Sequence, residues 1–571
     1  MTSKKDEIDL SNFFKNFKIN YALILMIVFL IFGFFLRAYH IEYPMIGYHN
    51  WKSAHYITEA RNFANEGFFK EGFFVPMRDT MSKITEPPSG AHKDTFPTDP
   101  IIIGFLFKIF GESIKIARFV EICFSLGSIV FFYLFIKELF NNEKLALLIA
   151  FLATINPMFV FFTHNVQLVN SALFFMLTGL YFYARWLNDI KKSKNMYLAA
   201  FFIALSSMTK YTFAVIAVPI LFSFPYKKIL KKPKKFYKVL GISFIIILMF
   251  PAWLVYSEFV VKQQTIGHLL TDEQLRSSYS FSGLIDLGMV ADKNFWQTIR
   301  LYVADNFTLL GINMFILGSI FLCYVFLLKK NRKQHYRFMF GYFLSLFVFF
   351  FIMGFKLSGH NYHQFPIAPY VLFAIAFLAE FISENIKQFV PKNIKSFIFP
   401  IVAIIIVILL WQPSQAARDR MYNTQFPGLD VAGNYIRQNS QPNERIFHSS
   451  GQNYGVLWHS GRKGYKGSSK VEIFEQAEEE YNVTWIFAYQ WGIQTYFQNP
   501  EVFQHIKDNY RLVQFAYVTN NNQAQPIYFL FKKGGTFNDT KLNEILQEKP
   551  TYKTTYHYTH GTYDIMHINL E

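Results

Sequence analysis

"PMIGYHNWKSAHYITEARNF", residues 44–63, follows closely on the first long apolar run of the chain. It packs His49, Trp51, Lys52, His55 and Glu59 into a short stretch. Tyr56, Ala60 and Phe63 share one side at helical spacing, and His55, Glu59 and Asn62 form a second row at i, i+4, i+7. This spacing predicts an amphipathic helix lying at a membrane surface, its polar row turned to a cavity.

The composition agrees with that setting. The 571 residues are 52% hydrophobic and 19% aromatic but only 17% charged, which suits a polytopic membrane protein. Runs such as "YALILMIVFLIFGFFL" and "FIFPIVAIIIVILLW" are long enough, or nearly so, to cross about 30 Å of hydrocarbon as helices. The net charge of +17 sits mostly in short loops between apolar segments, as the positive-inside rule demands. With those loops removed no basic domain remains, so nucleic acid is not an expected partner. Cys123 and Cys323 both fall within apolar runs and build neither a disulfide framework nor a metal site. The basic start "MTSKKDEIDLSNFFKNFK" leads into the first apolar run without a small-residue cleavage site, which reads as a retained signal anchor.

Lysine-rich loops at 137–144, 188–195, 225–235, 329–337 and 384–395 are read as cytoplasmic, like the N-terminus. Residues 39–98 then form an external loop, and about eleven spans follow from the even number of crossings between basic loops. The block "MYLAAFFIALSSMTKYTFAVIAVPILFSF" is too short for two full spans and predicts two short helices broken at "SSMTKY", presenting Lys210. "DPIIIGFLFKIFGES" (99–113) is too short to cross and reads as an interfacial or re-entrant helix. After Trp411 short β-rich runs alternate with helical patterns, which predicts an external α/β domain over 412–571 beside a transmembrane domain over 1–411.

The order "R-x-Y-H…P…G-Y-H-x-W-K-x-A…A-R-N-F-x-x-x-G-F", then "T-F-P-T-D-P-I-I-I-G-F-L-F-K-I-F-G-E-S", then "A-R-F-V-E-I" resembles the integral-membrane GT-C glycosyltransferases. More narrowly it is similar to the prokaryotic glycosyltransferase family 39 branch, relatives of protein O-mannosyltransferases and lipid A aminoarabinose transferases. "FLATINPMFVFFTHNVQ", "SMTKYTF" and "GHNYHQFPIAPYVLFAIA" extend the likeness as architecture over almost the whole chain. The resemblance implies a plasma-membrane enzyme that takes a sugar from a polyprenyl-phosphate donor and passes it to a protein or glycolipid acceptor outside. It also implies an inverting, single-displacement reaction with a loop carboxylate as base, and no cofactor.

Many relatives carry an acidic pair after the first span, or "G-F-H-x-W-R-Q-A-D"; here Lys52 and His55 stand at the arginine and aspartate positions. "SGAHKDTFPTDP" adds His92, Asp94 and Asp99 to the loop. Asp94, beside the Phe96–Pro97 turn that relatives place near the site, ranks first as base, ahead of Glu59, His49 and His55. A leaving lipid phosphate needs cationic or multi-donor stabilisation. Lys52, Trp51, Lys210, His360, Tyr362, His363 and Gln364 are the candidates to bind substrate. His40, His49, His55 and His92 match no metal signature in their spacing, so no cofactor is expected and a divalent metal held by these histidines is the lesser alternative. The rival function is a catalytically degenerate lipid-sugar-binding protein or a transporter. A transporter would repeat its broken helix in the other half, and the break at Lys210 has no counterpart.

Overall fold

A computed structural model describes residues 20–81, 90–91, 93, 95–265, 287–329, 333–520, 523–545 and 549–570. Asp94, His92 and the basic N-terminal segment lie outside the described residues. Small polar residues start several of the apolar helices. Asn20 accepts the N–H of Leu23 before Tyr21–Arg37, and Asn142 accepts that of Leu145 before Glu143–Ile155. Each satisfies a donor that the first helical turn leaves open.

Six described helices are long and apolar enough to cross a membrane by length and composition: Ile114–Phe140, Pro233–Val261, Leu309–Leu328, Gln334–Gly354, Asn361–Ile386 and Lys395–Asn423. Tyr21–Arg37 and Tyr211–Ser223 are shorter apolar helices. Phe35, Ile404, Ile405 and Ile408 stay exposed on Tyr21–Arg37 and Lys395–Asn423, as expected of faces turned to lipid. Inside the bundle, Leu309–Cys323 and Ala368–Ile386 approach backbone to backbone at Gly318, where an added Cβ would lie 2.0 Å from the Ala374 carbonyl. Only glycine permits that crossing. The polytopic helical fold with a sheet domain is therefore as expected. The last long helix runs unbroken past Trp411 to Asn423 before the sheet domain begins.

Among the described residues the sheet has eight strands, numbered along the chain and ordered β1-β3-β2-β4-β6-β5-β8-β7. The runs β2 (Arg445–His448), β4 (Val483–Tyr489), β5 (Tyr510–Asn520) and β6 (Gln523–Lys533) are those legible in sequence. β3 (Gly464–Lys466), β7 (Tyr552–Tyr558) and β8 (Gly561–Asn569) complete the domain. β1 (Thr80–Met81) belongs to the first loop and pairs in parallel with β3, Thr80 opposite Gly464. Side chains alternate between two cores: Ile446 packs with Leu429 and Ile436 on one face, Phe447 with Phe474 and Ile506 on the other. The first core includes Ile46 of the loop, and Phe426 N–H donates to the Ile46 carbonyl at 2.6 Å. The sheet domain and the first loop are one packed body.

That packing carries an acid-sensitivity prediction. His448, fully buried at the end of β2, has Nδ1 2.9 Å from the Ser450 carbonyl, and burial pushes it down to about 4. Burial does the same to His567, to about 4. Between pH 6.5 and 4 the unfolded chain therefore binds protons that the folded chain refuses, so stability falls as pH drops through that window. At pH 5 one such histidine costs roughly 2 kcal/mol. The unfolding temperature should drop from pH 7 to pH 5, less steeply in His448→Gln. A pH-independent transition would contradict this account.

Candidate active site

The helix foreseen in residues 44–63 is Asn50–Glu66. His49, just before it, has left-handed backbone (φ 59), which a non-glycine residue holds only where its surroundings fix it. Two contacts do so: the Tyr48 ring stacks on it at 3.9 Å, and its Nε2 lies 2.9 Å from Asn361 Oδ1. Asn361 opens the tight 3-10 turn Asn361–Ile367 that leads into Ala368–Ile386. The first loop is thereby clamped onto a segment some three hundred residues away.

His360 lies at the centre of the contact. Its ring is 5.3 Å from His49, 5.2 Å from Trp51 and stacked on Tyr362 at 5.1 Å. His363 packs on Tyr362 at 4.5 Å. Lys210 enters from a third element. It sits at the break between Ser193–Thr209 and the 3-10 turn Tyr211–Ile216, with extended backbone and only 7% exposure. Its Nζ is 5.6 Å from the Tyr362 ring centroid. The break is fixed to the loop: Phe96 N–H donates to the Met208 carbonyl at 2.8 Å, and the Thr98 and Thr209 hydroxyls meet at 2.8 Å. Lys52 Nζ lies 4.7 Å from the Trp51 ring and 5.3 Å from Tyr56.

Burial, then the charges of His49, Lys52, Lys210 and Lys356, push His360 down to about 3. Burial likewise pushes His49 down to about 4. At neutral pH the histidines are therefore uncharged, and the positive field comes from the three lysines. In a low-dielectric setting such a group favours an anion strongly.

The structure thus brings together Trp51, Lys52, Lys210, His49, His360, Tyr362 and His363. Gln364 is turned elsewhere: its Oε1 accepts Asn306 Nδ2 at 2.9 Å, and the same amide donates to the Asn361 carbonyl, which steadies the turn. His55 and Glu59 pair with each other at 2.8 Å one turn along the loop helix, both buried. Sequence reasoning passed over Asn361, Lys356 and Asn165, whose Oδ1 accepts Ser53 Oγ at 3.1 Å. Asparagines in apolar turns carry no pattern that separates them from ordinary loop residues.

It also gave no role to a buried carboxyl pair. Asp99, in helix Thr98–Phe110, faces Glu121 and Ser171, and Glu121 Oε2 accepts Asn170 Nδ2 at 2.8 Å. Burial pushes the Asp99 carboxyl up. Two carboxyl groups in contact require a proton between them, so the pair ties helix Thr98–Phe110 to Ile114–Phe140 as a hydrogen-bonded unit. A lone acid inside the apolar run "ARFVEICFSLGSIVFF" was the available signal. Among the described residues no group of three His, Cys, Asp or Glu side chains is placed to hold a metal.

Residues 94–254, from the end of the loop through the break at Lys210, match the family model of dolichyl-phosphate-mannose-protein mannosyltransferase. No curated protein matches the chain by sequence. Solved structures align over about nine-tenths of it, three of them as follows. ArnT from Cupriavidus metallidurans bound to undecaprenyl phosphate aligns with a TM-score of 0.55 at 12% identity, covering 90% of this chain and 98% of that one. The fold is that of the GT-C glycosyltransferases. Archaeal oligosaccharyltransferase AglB from Archaeoglobus fulgidus, in complex with an inhibitory peptide and a dolichol-phosphate, gives 0.57 at 11%, covering 89% and 74%. The Archaeoglobus fulgidus oligosaccharyltransferase in complex with Zn and sulfate gives 0.58 at 12%, covering 93% and 78%. Within this GT-C fold the lysine cluster lies where loop helix, broken helix and the His360–Ile367 segment meet.

Proposed function

We propose that this GT-C protein is a glycosyltransferase that moves a hexosyl or pentosyl group from a polyprenyl-phosphate donor to a protein or glycolipid acceptor on the outer face of the plasma membrane. The observation that carries this reading is the convergence of Lys52, Lys210 and Lys356 on the His360–Tyr362 stack. A polyprenyl-phosphate sugar is a phosphodiester with one negative charge. When its sugar–oxygen bond breaks, the leaving phosphate monoester takes the electron pair and gains a second charge. Lysines fixed beside it stabilise that state more than the ground state. Trp51, half-buried, supplies a ring face for the sugar or the first prenyl unit, and Tyr362, fully buried, holds His360 and Lys210 in place behind it.

The acceptor hydroxyl attacks the anomeric carbon from the opposite side and gives its proton to a carboxylate. We assign that role to Asp94, with Glu59 next in rank. His49 and His55 are poorer bases for an alcohol, the first because burial holds it at about 4. The bound undecaprenyl phosphate of ArnT and the dolichol-phosphate of AglB support the donor class, and the AglB inhibitory peptide supports a protein acceptor. The same reading sets about eleven spans, a cytoplasmic N-terminus and an external domain over 412–571. The reaction calls for no cofactor.

Membranes supplied with a labelled polyprenyl-phosphate sugar test the assignment. Asp94→Asn should lose transfer by about a hundredfold or more while retaining donor binding. Unchanged transfer would remove Asp94 from the base role. Absence of transfer in the unaltered protein, with donor bound, would leave a lipid-sugar-binding protein.

A further inference from the structure

Three guanidinium groups lie buried together away from the lysine cluster. Arg37 ends the first helix, Arg118 lies in Ile114–Phe140, and Arg418 lies one turn before Tyr422 in Lys395–Asn423. They are 0%, 6% and 7% exposed, and all three act on the Tyr422 hydroxyl. Arg37 donates to Ser125 Oγ and to the carbonyls of Gly33, Ala153 and Thr154; Arg118 donates to those of His40, Ile41, Tyr43 and His164. Among the described residues none of the three lies within ion-pairing distance of a carboxylate; Asp419, 3.4 Å from His560, acts on Arg418 from further off. Charges so buried are costly without an anion.

Beside them is a cavity of about 40 Å³ lined by Tyr39, Asn50, Arg118, Asn165 and Tyr422, among others. Among the described residues Tyr422 Oη, Asn165 Nδ2 and the Asn50 amide, all on its lining, have no hydrogen-bond partner, and neither has Arg418 Nη1, one helical turn from Tyr422. One water-sized group needs roughly 10–15 Å³ of such space, so the cavity holds about three, the number of terminal oxygens on a phosphate monoester. The surroundings are those of a lipid headgroup. Arg418 lies 5.7 Å from the Trp411 ring, Trp411 stacks on Phe32 at 5.9 Å, and the exposed apolar faces of Tyr21–Arg37 and Lys395–Asn423 run on from there. Tyr48, Phe161 and Tyr422 form one wall of the cavity, their rings 6.3 and 5.1 Å apart, and Tyr48 also stacks on His49 at 3.9 Å.

We propose that the cavity lined by Arg118, Asn165 and Tyr422, with Arg418 one helical turn from Tyr422, is a second anion site that takes a phosphate monoester, carried by a lipid lying along the first and last helices. The site is independent of the donor assignment above.

The test uses the full chain in neutral detergent with short-chain phosphatidic acid as probe, diacylglycerol of the same chain length as uncharged control, and inorganic phosphate as free anion. Phosphatidic acid should bind in preference to diacylglycerol. Arg418→Gln and Tyr422→Phe should each weaken it about tenfold, the effect of one charge-assisted contact. Tyr422→Phe keeps the ring and guards against a folding defect, checked by the unfolding temperature. If inorganic phosphate binds as tightly with the same dependence on Arg418, the anion site stands and its source is the free ion. Binding that ignores both substitutions, or that does not distinguish phosphatidic acid from diacylglycerol, overturns the proposal.

Discussion

Lys210→Gln should lower transfer by about a hundredfold to a thousandfold, mostly in kcat, with a much smaller change in KM. The reasoning is electrostatic. The side chain is 7% exposed, lies over the Tyr362 ring at 5.6 Å and shares its surroundings with Lys52 and Lys356. Glutamine retains length and a donor but removes the charge, so what is lost is the stabilisation of the second negative charge as the lipid phosphate departs. Lys210→Arg should recover part of the rate, because its charge persists on a larger, planar head. His360→Asn, in contrast, should leave the pH–rate profile between 5 and 8 unshifted, since the ring is held neutral throughout by a value near 3. A Lys210→Gln protein with full activity would remove the lysine cluster from the mechanism. A loss expressed wholly in KM would make Lys210 a docking residue that does not act on the transition state.

The break at Lys210 was readable because a membrane imposes a length. A 29-residue apolar block between basic loops cannot cross twice as straight helices, and the helix does stop at Thr209. The loop helix was readable because its apolar residues recur at helical spacing, and Asn50–Glu66 follows that pattern. The strongest tail strands showed as β-branched and aromatic runs. The three-residue β3 and two-residue β1 did not, being too short for any periodicity, and β1 is ordered by pairing with a strand almost four hundred residues on. The same reason hides the Asn361 partner of His49 and the proximity of Arg37, Arg118 and Arg418. Each depends on which distant elements meet, and local pattern carries no record of that.

Arg61→Met should destabilise the protein by about 3–5 kcal/mol and loosen the sheet domain from the loop helix. Arg61 holds the joint: its Nε pairs with Glu112 at 2.9 Å, its Nη1 lies 3.6 Å from Asp79, its Nη2 donates to the Trp458 carbonyl and its head lies 4.0 Å from the Trp458 ring. Asp79 immediately precedes β1 and is buried, with Asn62 Nδ2 donating to it at 3.1 Å. Burial already pushes Asp79 up, and Arg61 opposes that shift. Without Arg61 the folded-state value rises further above the unfolded one, so the folded chain binds the extra proton. The defect is then greatest at neutral pH and is relieved as pH falls through the raised value. Unfolding temperatures of the variant and the unaltered chain should converge toward acid, although both decline there through the buried histidines. Arg61→Met combined with Asp79→Asn should regain much of the loss at pH 7, because the uncompensated charge is gone. If the double variant is no more stable than Arg61→Met, the joint depends on the Trp458 stack and Glu112, and Asp79 is not the group that needs Arg61.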